Sequence, residues 1–204
     1  MGQIKTYSIT CSKCKYVGNI AVSDTVNIDS TTDNKEKIMK RLFFKFRCPE
    51  CKNDFQAEYP VLFENLENNV LLYFVPKADE KKLEKVKNLA VSNDFGKKMR
   101  IINNQNELVE KLLILDDGYD DIIIEYLKTV IEKSVAKEQQ EKMKDLYYSG
   151  MKGDSLLFVV PLKDGTYNVN IPKSMYMNYY SKYNIKESYR FIKVDRTNVE
   201  NFMF

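Results

Sequence analysis

Hydrophobic residues in the first third of the chain alternate with polar residues over short stretches, and polar turns separate these stretches. A two-residue period is typical of half-buried β-strands, whereas a continuous apolar run indicates a fully buried strand. A short polar helix is predicted at 33–40, between the second and third strands. The predicted strands cover residues 6–10, 16–22, 42–46, 55–59 and, as the continuous run, 70–75. The pattern therefore predicts two hairpins followed by a buried strand.

After Pro76 the spacing of apolar residues becomes helical. Helices are predicted over 79–91, 107–115 and 120–136, with a short strand at 99–102. The last helix carries an apolar stripe that we expect to pack against the helix before it, giving a helical hairpin. The stripe consists of Ile123, Leu127, Val130 and Ile131, facing Leu108, Leu112 and Leu115.

The last quarter of the chain mixes both patterns. Residues 149–153 are interpreted as a boundary, and 155–162 with 166–171 as a hairpin around Asp164-Gly165. Pro161 indicates that the first of these strands lies at a sheet edge, since proline cannot donate to a ladder. A helix is predicted to open at Pro172, followed by a last strand at 189–194 and a docked apolar terminus.

Two clusters in the second half invite a functional interpretation. The first is a tyrosine stripe at helical spacing, which predicts either packing on the neighbouring sheet, the favoured interpretation, or a partner-binding surface. The second cluster is acidic, but a calcium loop requires a glutamate at its twelfth position, where this chain has Leu127. Carboxylates that stabilise the start of a helix are the favoured interpretation, and binding of a partner's basic surface is the alternative. The stripe is Tyr176, Tyr179, Tyr180 and Tyr183, and the acidic cluster is Asp116, Asp117, Asp120, Asp121 and Glu125.

The four cysteines form two Cys-x-x-Cys pairs, Cys11 with Cys14 and Cys48 with Cys51, and the chain has no histidine. Two such pairs predict one tetrahedral four-thiolate site, and a closed ligand set predicts a structural metal. Zn²⁺ is the favoured ion and iron of the rubredoxin type is the alternative, given the 33 residues between the pairs. Disulfide or redox-dithiol pairs and unliganded core cysteines are less favoured alternatives.

The cysteine flanks and the segments after them resemble the CpXC family, a bacterial group with a zinc-ribbon-like domain and no established activity. The resemblance covers residues 4–135 approximately and implies no catalytic residues. The chain differs from the family pattern at Ser12, where proline is usual in the family. It also differs at Lys15 and Lys52, where glycine is common and a positive φ is expected. The matching segments are 11–14, 26–28, 48–51, 59–63, 70–76, 106–109 and 120–121.

Composition and charge bear on whether the protein binds nucleic acid. The formal charge of +3 falls close to +1 once four thiolates hold a divalent ion, so strong nucleic-acid binding is not favoured. One basic cluster contains interleaved phenylalanines, so it could bind nucleic acid by stacking bases on the rings and contacting phosphates. The favoured interpretation is a strand in which Phe43, Phe44 and Phe46 pack inward. The cluster comprises Lys37, Lys40, Arg41, Lys45 and Arg47.

The predicted fold class is α+β, with three parts. These are a zinc-ribbon-like antiparallel β domain at 1–77, a helical segment at 78–148 that packs on it or belongs to it, and a small α+β unit at 150–204. Without histidine or a phosphate-binding glycine loop, we expect no enzyme. We expect a cytoplasmic binding or scaffold module with an unknown protein partner and no membrane, because no signal peptide or membrane span is evident.

Overall fold

A computed structural model describes residues 2–77, 79–87, 96–135, 143, 145–163, 165–185 and 190–203. The chain divides into two compact units. The first comprises Met1–Leu108 with Ser188–Ile192, and the second comprises Val109–Glu187 with Lys193–Phe204. The described residues form a mixed α+β structure of five α-helices and several small sheets. The predicted division into a zinc-ribbon-like domain at 1–77, a helical segment at 78–148 and a small α+β unit at 150–204 stays a prediction.

Two antiparallel hairpins begin the first unit, as the sequence predicts. Strand β1 (Ile4–Thr10) pairs with β2 (Val17–Ser23) over seven residue pairs, from Ile4 with Ser23 to Thr10 with Val17. Helix α1 (Asn34–Met39) lies between the hairpins and buries Ile38. The second hairpin is shorter than predicted.

A four-stranded mixed sheet forms the centre of the first unit. The second hairpin and this sheet comprise β3 (Thr25–Asn27), β4 (Lys45–Arg47), β5 (Asp54–Gln56), β6 (Val61–Asn65), β7 (Val70–Phe74) and β8 (Lys98–Ile102). The sheet has the order β3-β6-β7-β8, in which β6 and β7 are antiparallel and the two outer pairs are parallel. The sequence pattern predicts neither β3 nor β6, although β6 is as long as β7.

The central strand β7 is buried, which confirms the inference from its continuous apolar run. Leu71 on β7 packs with Met99 and Ile101 of β8. Helix α2 (Glu80–Lys87) adds Val86 to the same core, so it is not a solvated linker. The predicted extension of this helix to residue 91 lies outside the described residues.

The predicted strand at 189–194 is wrong in extent. Residue 189 lies outside the described residues, and among 190–194 only Ile192 forms a β-bridge, with Arg100. Phe191 nevertheless packs into the core of the first unit against Tyr73, at 5.8 Å between ring centroids. The bridge at Ile192 and the buried ring of Phe191 both attach this segment to the first unit.

Two long helices and a three-stranded sheet characterise the second unit. Helix α3 (Gln105–Asp116) begins in the first unit, and α4 (Asp121–Ser134) begins at the N-cap residue Asp120, whose side chain accepts a hydrogen bond from the amide of Ile122 at 2.8 Å. The sheet has the order β11-β10-β9. Its strands are β9 (Tyr147–Lys152), β10 (Ser155–Leu162) and β11 (Gly165–Pro172), and helix α5 (Lys173–Lys182) follows.

The predicted boundary at 149–153 is instead covered by strand β9. Gly150 has φ 113° and lies at a register shift between β9 and β10, so this glycine marks a bulge and not a linker. The expectation that Pro161 marks an edge strand is also wrong, because β10 lies between two partners. Pairing with β9 ends at Val159, however, so among the described strands Pro161 pairs only with β11.

The tyrosine stripe packs against tyrosines of the helical segment and not mainly against the sheet. Tyr176 is buried, lies 4.6 Å from Tyr119 between ring centroids, and its hydroxyl accepts a hydrogen bond from the amide of Asp120. Tyr179 and Tyr183 both contact the ring of Tyr126 on α4. Tyr180 is half exposed. At the terminus, Met203 is buried, as expected for a docked tail.

A network of buried charges joins α3 to α4. Lys128 Nζ lies 2.9 Å from Glu110 and 3.0 Å from Glu125, and Lys111 Nζ lies 2.9 Å from Asp121. All five side chains are at most 6% exposed. Burial lowers the pKa of each lysine, but the neighbouring carboxylates outweigh it and raise the pKa, so both stay charged. The network therefore fixes the pairing of the two helices.

Removal of one lysine from this network should destabilise the second unit. In Lys128→Ala, Glu110 and Glu125 lose their shared cation inside the protein, and we expect a loss of about 3–5 kcal/mol in the free energy of unfolding. Urea denaturation followed by circular dichroism measures it. The matched control is Lys133→Ala on the same helix, whose ion pair with Glu200 is exposed and should contribute little. Equal effects in the two variants would contradict the structural role of the network.

Candidate metal centre

The first Cys-x-x-Cys pair lies on a tight turn between β1 and β2. The amide of Cys11 donates to the carbonyl of Tyr16 at 2.9 Å, and the amide of Lys15 donates to the carbonyl of Cys11 at 3.1 Å. These two hydrogen bonds close the turn and direct both cysteine side chains to one side. The turn, from Cys11 to Tyr16, is called the first knuckle.

The second knuckle, Cys48–Asn53, repeats this geometry between β4 and β5. The amide of Cys48 donates to the carbonyl of Asn53 at 2.9 Å, and the amide of Lys52 donates to the carbonyl of Cys48 at 3.1 Å. The positions of the bonds within the knuckle are the same as in the first. Two equivalent turns thus present two cysteines each.

A lysine with positive φ ends each knuckle, as the sequence predicts. Lys15 has φ 63° and Lys52 has φ 58°, a region that L-residues other than glycine enter at a cost of roughly 1 kcal/mol. Each ammonium donates to a carbonyl of its own knuckle. Lys15 Nζ lies 3.1 Å from the oxygen of Ser12, and Lys52 Nζ lies 2.6 Å from that of Pro49. Each lysine thus adds a side-chain hydrogen bond to its own knuckle.

The two knuckles bring all four cysteine sulfurs together. Their Sγ atoms lie within 4.8 Å of one another, so they could hold a metal ion. Cys11 and Cys51 are 3.7 Å apart at sulfur, and Cys14 and Cys48 are 3.5 Å apart. A tetrahedral ion with metal–sulfur bonds of about 2.3 Å requires sulfur–sulfur separations of about 3.8 Å. The arrangement therefore fits a tetrahedral four-sulfur site.

Ionisation of the cluster is uneven. The amide of Cys14, with smaller contributions from its neighbours, lowers the pKa of the Cys11 thiol to about 6. The amide of Tyr16 lowers the pKa of Cys14, yet desolvation and the contacts with the other three sulfurs outweigh it and raise that pKa to about 12. Closely spaced thiols thus resist full ionisation, whereas a bound cation favours four thiolates.

The surroundings of the cluster are partly apolar. Cys11 and Cys48 are fully buried and pack with Phe55, whereas Cys51 is half-buried and Cys14 is exposed. Ile9, Phe46 and Ala57 pack against the same group. Sequence analysis identified the four cysteines, but the packing of Phe55 against Cys11 and Cys48 depends on tertiary structure, because Cys11 lies on a distant segment.

The basic cluster between the knuckles is largely paired with polar partners. Arg41 Nη2 donates to Asn106 at 2.6 Å. Three lysines of the cluster form ion pairs on the surface, and these pairs are Lys37–Asp33, Lys40–Glu36 and Lys45–Asp54. Phosphate contact would have to replace these interactions, which reduces the gain from binding nucleic acid.

The interleaved phenylalanines pack inward. Phe44 is buried, and Phe43 and Phe46 are partly buried. Phe43 and Phe44 contact Phe63 of β6 edge to face, and Phe44 also stacks on Phe74 of β7 at 4.8 Å. These rings are therefore part of the core of the first unit and are not an exposed stacking platform.

The acidic cluster at the start of α4 is dispersed by the fold. Asp121 and Glu125 are buried in the network with Lys111 and Lys128. Asp117 accepts a hydrogen bond of 2.6 Å from the hydroxyl of Tyr148. The capping of α4 by Asp120 agrees with the favoured interpretation as a helix start. A partner could not reach the buried carboxylates of Asp121 and Glu125.

None of the helices within the described ranges combines the length and the apolar character that a membrane crossing requires.

Comparison with known proteins gives one family match. The family model described as CpXC protein matches residues 9–128, which are 120 of the 204 residues and include all four cysteines. Curated proteins give no significant match, and solved structures give none. The matched range contains both knuckles, the four-stranded sheet and the start of α4. On this evidence the chain belongs to the CpXC family.

Proposed function

We propose that this protein is a structural zinc-binding protein, in which Cys11, Cys14, Cys48 and Cys51 hold Zn²⁺ in a zinc-ribbon-like domain. The observation that carries the proposal is the convergence of the four Sγ atoms within 4.8 Å on two equivalent knuckles. Four thiolates favour zinc or iron, and zinc requires no special loading. Iron of the rubredoxin type uses the same ligand set and is the alternative.

The ion would act as a cross-link between the two amino-terminal hairpins. Each hairpin is a separate two-stranded sheet, and such sheets are marginally stable alone. Binding of zinc to four thiolates contributes roughly 10–16 kcal/mol, which greatly exceeds the strain at the two lysines of positive φ. Four protein ligands leave no position for a substrate, so the role of the ion is to hold shape.

The same features support a binding or scaffold module rather than an enzyme. The chain has no histidine, and the carboxylates buried between α3 and α4 are engaged by lysines instead of facing a cleft. We place the protein in the cytoplasm, where reduced thiols persist. Its partner is inferred to be another protein, since the basic cluster is largely paired and its phenylalanines pack inward, with Phe44 buried and Phe43 and Phe46 partly buried.

Metal analysis of the purified protein should find a single Zn²⁺ per chain and no visible absorption. Zinc has a filled d shell and gives a colourless thiolate complex, whereas iron in four thiolates is red. Elemental analysis with a visible spectrum measures both properties. A red, iron-containing protein would replace the structural proposal with electron transfer.

Replacement of one ligand should unfold the first unit selectively. In Cys48→Ser the ligand set is incomplete, and we expect zinc binding to be lost and amides of 2–75 to lose hydrogen-exchange protection. Amides of α4 and of β9–β11 should keep theirs, because these elements have their own buried faces.

The matched control is Ala57→Ser, which adds a hydroxyl beside the same cluster and leaves the ligands intact. This variant should retain zinc and protection. Loss of protection along the whole chain in Cys48→Ser would show that the two units share one cooperative core.

Nucleic acid should bind only weakly at physiological salt. The loaded protein is nearly neutral, and the basic cluster is already paired. Titration of labelled single- and double-stranded oligonucleotides measures it. The nucleic-acid alternative requires a sub-micromolar affinity that falls steeply with salt and disappears when Lys40, Arg41, Lys45 and Arg47 become glutamine.

A further inference from the structure

The two edges of the carboxy-terminal sheet differ in how well they are protected from pairing. Strand β9 has a register shift, a glycine of positive φ at Gly150, and Lys152. Bulges and lysines are the features by which natural edge strands avoid further pairing. Strand β11 pairs with β10 over eight residues without a register shift, and it contains no charged residue. The β11 edge therefore lacks the protection that the β9 edge has.

An apolar layer continues from the core onto this unprotected edge. On β10, alternate side chains are buried, and each is paired with an apolar residue of β11 that is more exposed. The exposed fraction of Tyr167 reaches 49%. The pairs are Leu156–Ile171, Phe158–Val169 and Val160–Tyr167. The β10 residues of these pairs thus belong to the core, whereas their β11 partners are only partly covered.

The backbone of β11 is open on its outer side. Among the strands of the described residues, β10 is its only partner. In an edge strand, N–H and C=O groups at alternate positions point away from the sheet and can pair with an added strand. Both the backbone and the apolar row would gain from one more strand.

We propose that β11 pairs with β11 of a second copy of this chain, antiparallel and around a two-fold axis at Val169. This register places Tyr167 opposite Ile171 of the partner subunit on the apolar face. On the other face it places Asn168 opposite Asn170 of the partner subunit, where the two amides can hydrogen-bond. The dimer contains a continuous six-stranded sheet.

Charge and symmetry favour a second copy as the occupant. A strand without formal charge meets its own copy without repulsion, and an isologous interface needs only that one surface be complementary to itself. The apolar pair and the amide pair both meet that requirement in the same register. In a strand that carries charge, as β8 does with Lys98 and Arg100, like charges would meet near the two-fold axis, so the strand would not be complementary to its own copy.

The geometry also limits assembly to a dimer. The β9 edge is protected, so each copy offers one edge and a two-fold contact closes. Pro172 ends the strand and helix α5 follows, which bounds the paired length to about 23 Å for seven residues. This contact is smaller than a standard protein interface, so we expect an affinity in the micromolar range.

Paired charge substitutions test both the interface and its register. Asn168 and Asn170 are exposed and face each other across the proposed axis. In the double variant N168K/N170K, lysine meets lysine of the partner subunit, and the dimer dissociation constant should rise by at least about tenfold. In N168K/N170D, lysine meets aspartate, and the constant should stay within about threefold of the unmodified protein.

Sedimentation equilibrium of the zinc-loaded full chain between about 10 μM and 1 mM gives these constants. The control T6K/S8K adds the same charge at exposed positions of strand β1 and should leave the dimer unchanged. Circular dichroism verifies that each variant is folded. A monomer throughout this range, or a dimer that N168K/N170K does not weaken, overturns the proposal. Equal weakening by N168K/N170D overturns the proposed register.

Discussion

The convergence of four cysteine sulfurs is the contact that brings the two amino-terminal hairpins together. Neither amino-terminal hairpin belongs to the four-stranded sheet, and each is a two-stranded ladder with little buried surface of its own. Two knuckles with the same backbone hydrogen bonds bring Cys11 beside Cys51, and Cys14 beside Cys48. The closest sulfur contacts found therefore run between the knuckles, so a shared ion would join the hairpins to each other.

The lysines that end the knuckles show how a local cost is tolerated at such a site. Glycine would adopt positive φ without strain, yet Lys15 and Lys52 adopt it and direct their ammonium groups to knuckle carbonyls. In the proposed zinc complex, metal binding would supply roughly 10–16 kcal/mol. The strain of roughly 1 kcal/mol at each lysine is small compared with that free energy.

The second unit is stabilised in a different way. Its helices pair through lysines and carboxylates inside the protein, where a single lost partner leaves an uncompensated charge. The amide of Tyr148 donates to Glu110 at 2.6 Å, which connects this network to the three-stranded sheet. The same contacts thus link α3, α4 and the three-stranded sheet within the second unit.

The sequence by itself determined the four cysteines that converge, the positive φ of Lys15 and Lys52, the buried strand at 70–75 and the antiparallel pairing of 155–162 with 166–171. Each of these depends on local spacing or on one residue's backbone preference, which neighbours in the chain define. Only the tertiary structure decided that β9 replaces the boundary at 149–153, that Pro161 lies on a central strand and that Glu110 pairs with Lys128. Those features depend on which distant segments meet, and a polar residue looks the same in sequence whether its partner is water or a buried opposite charge.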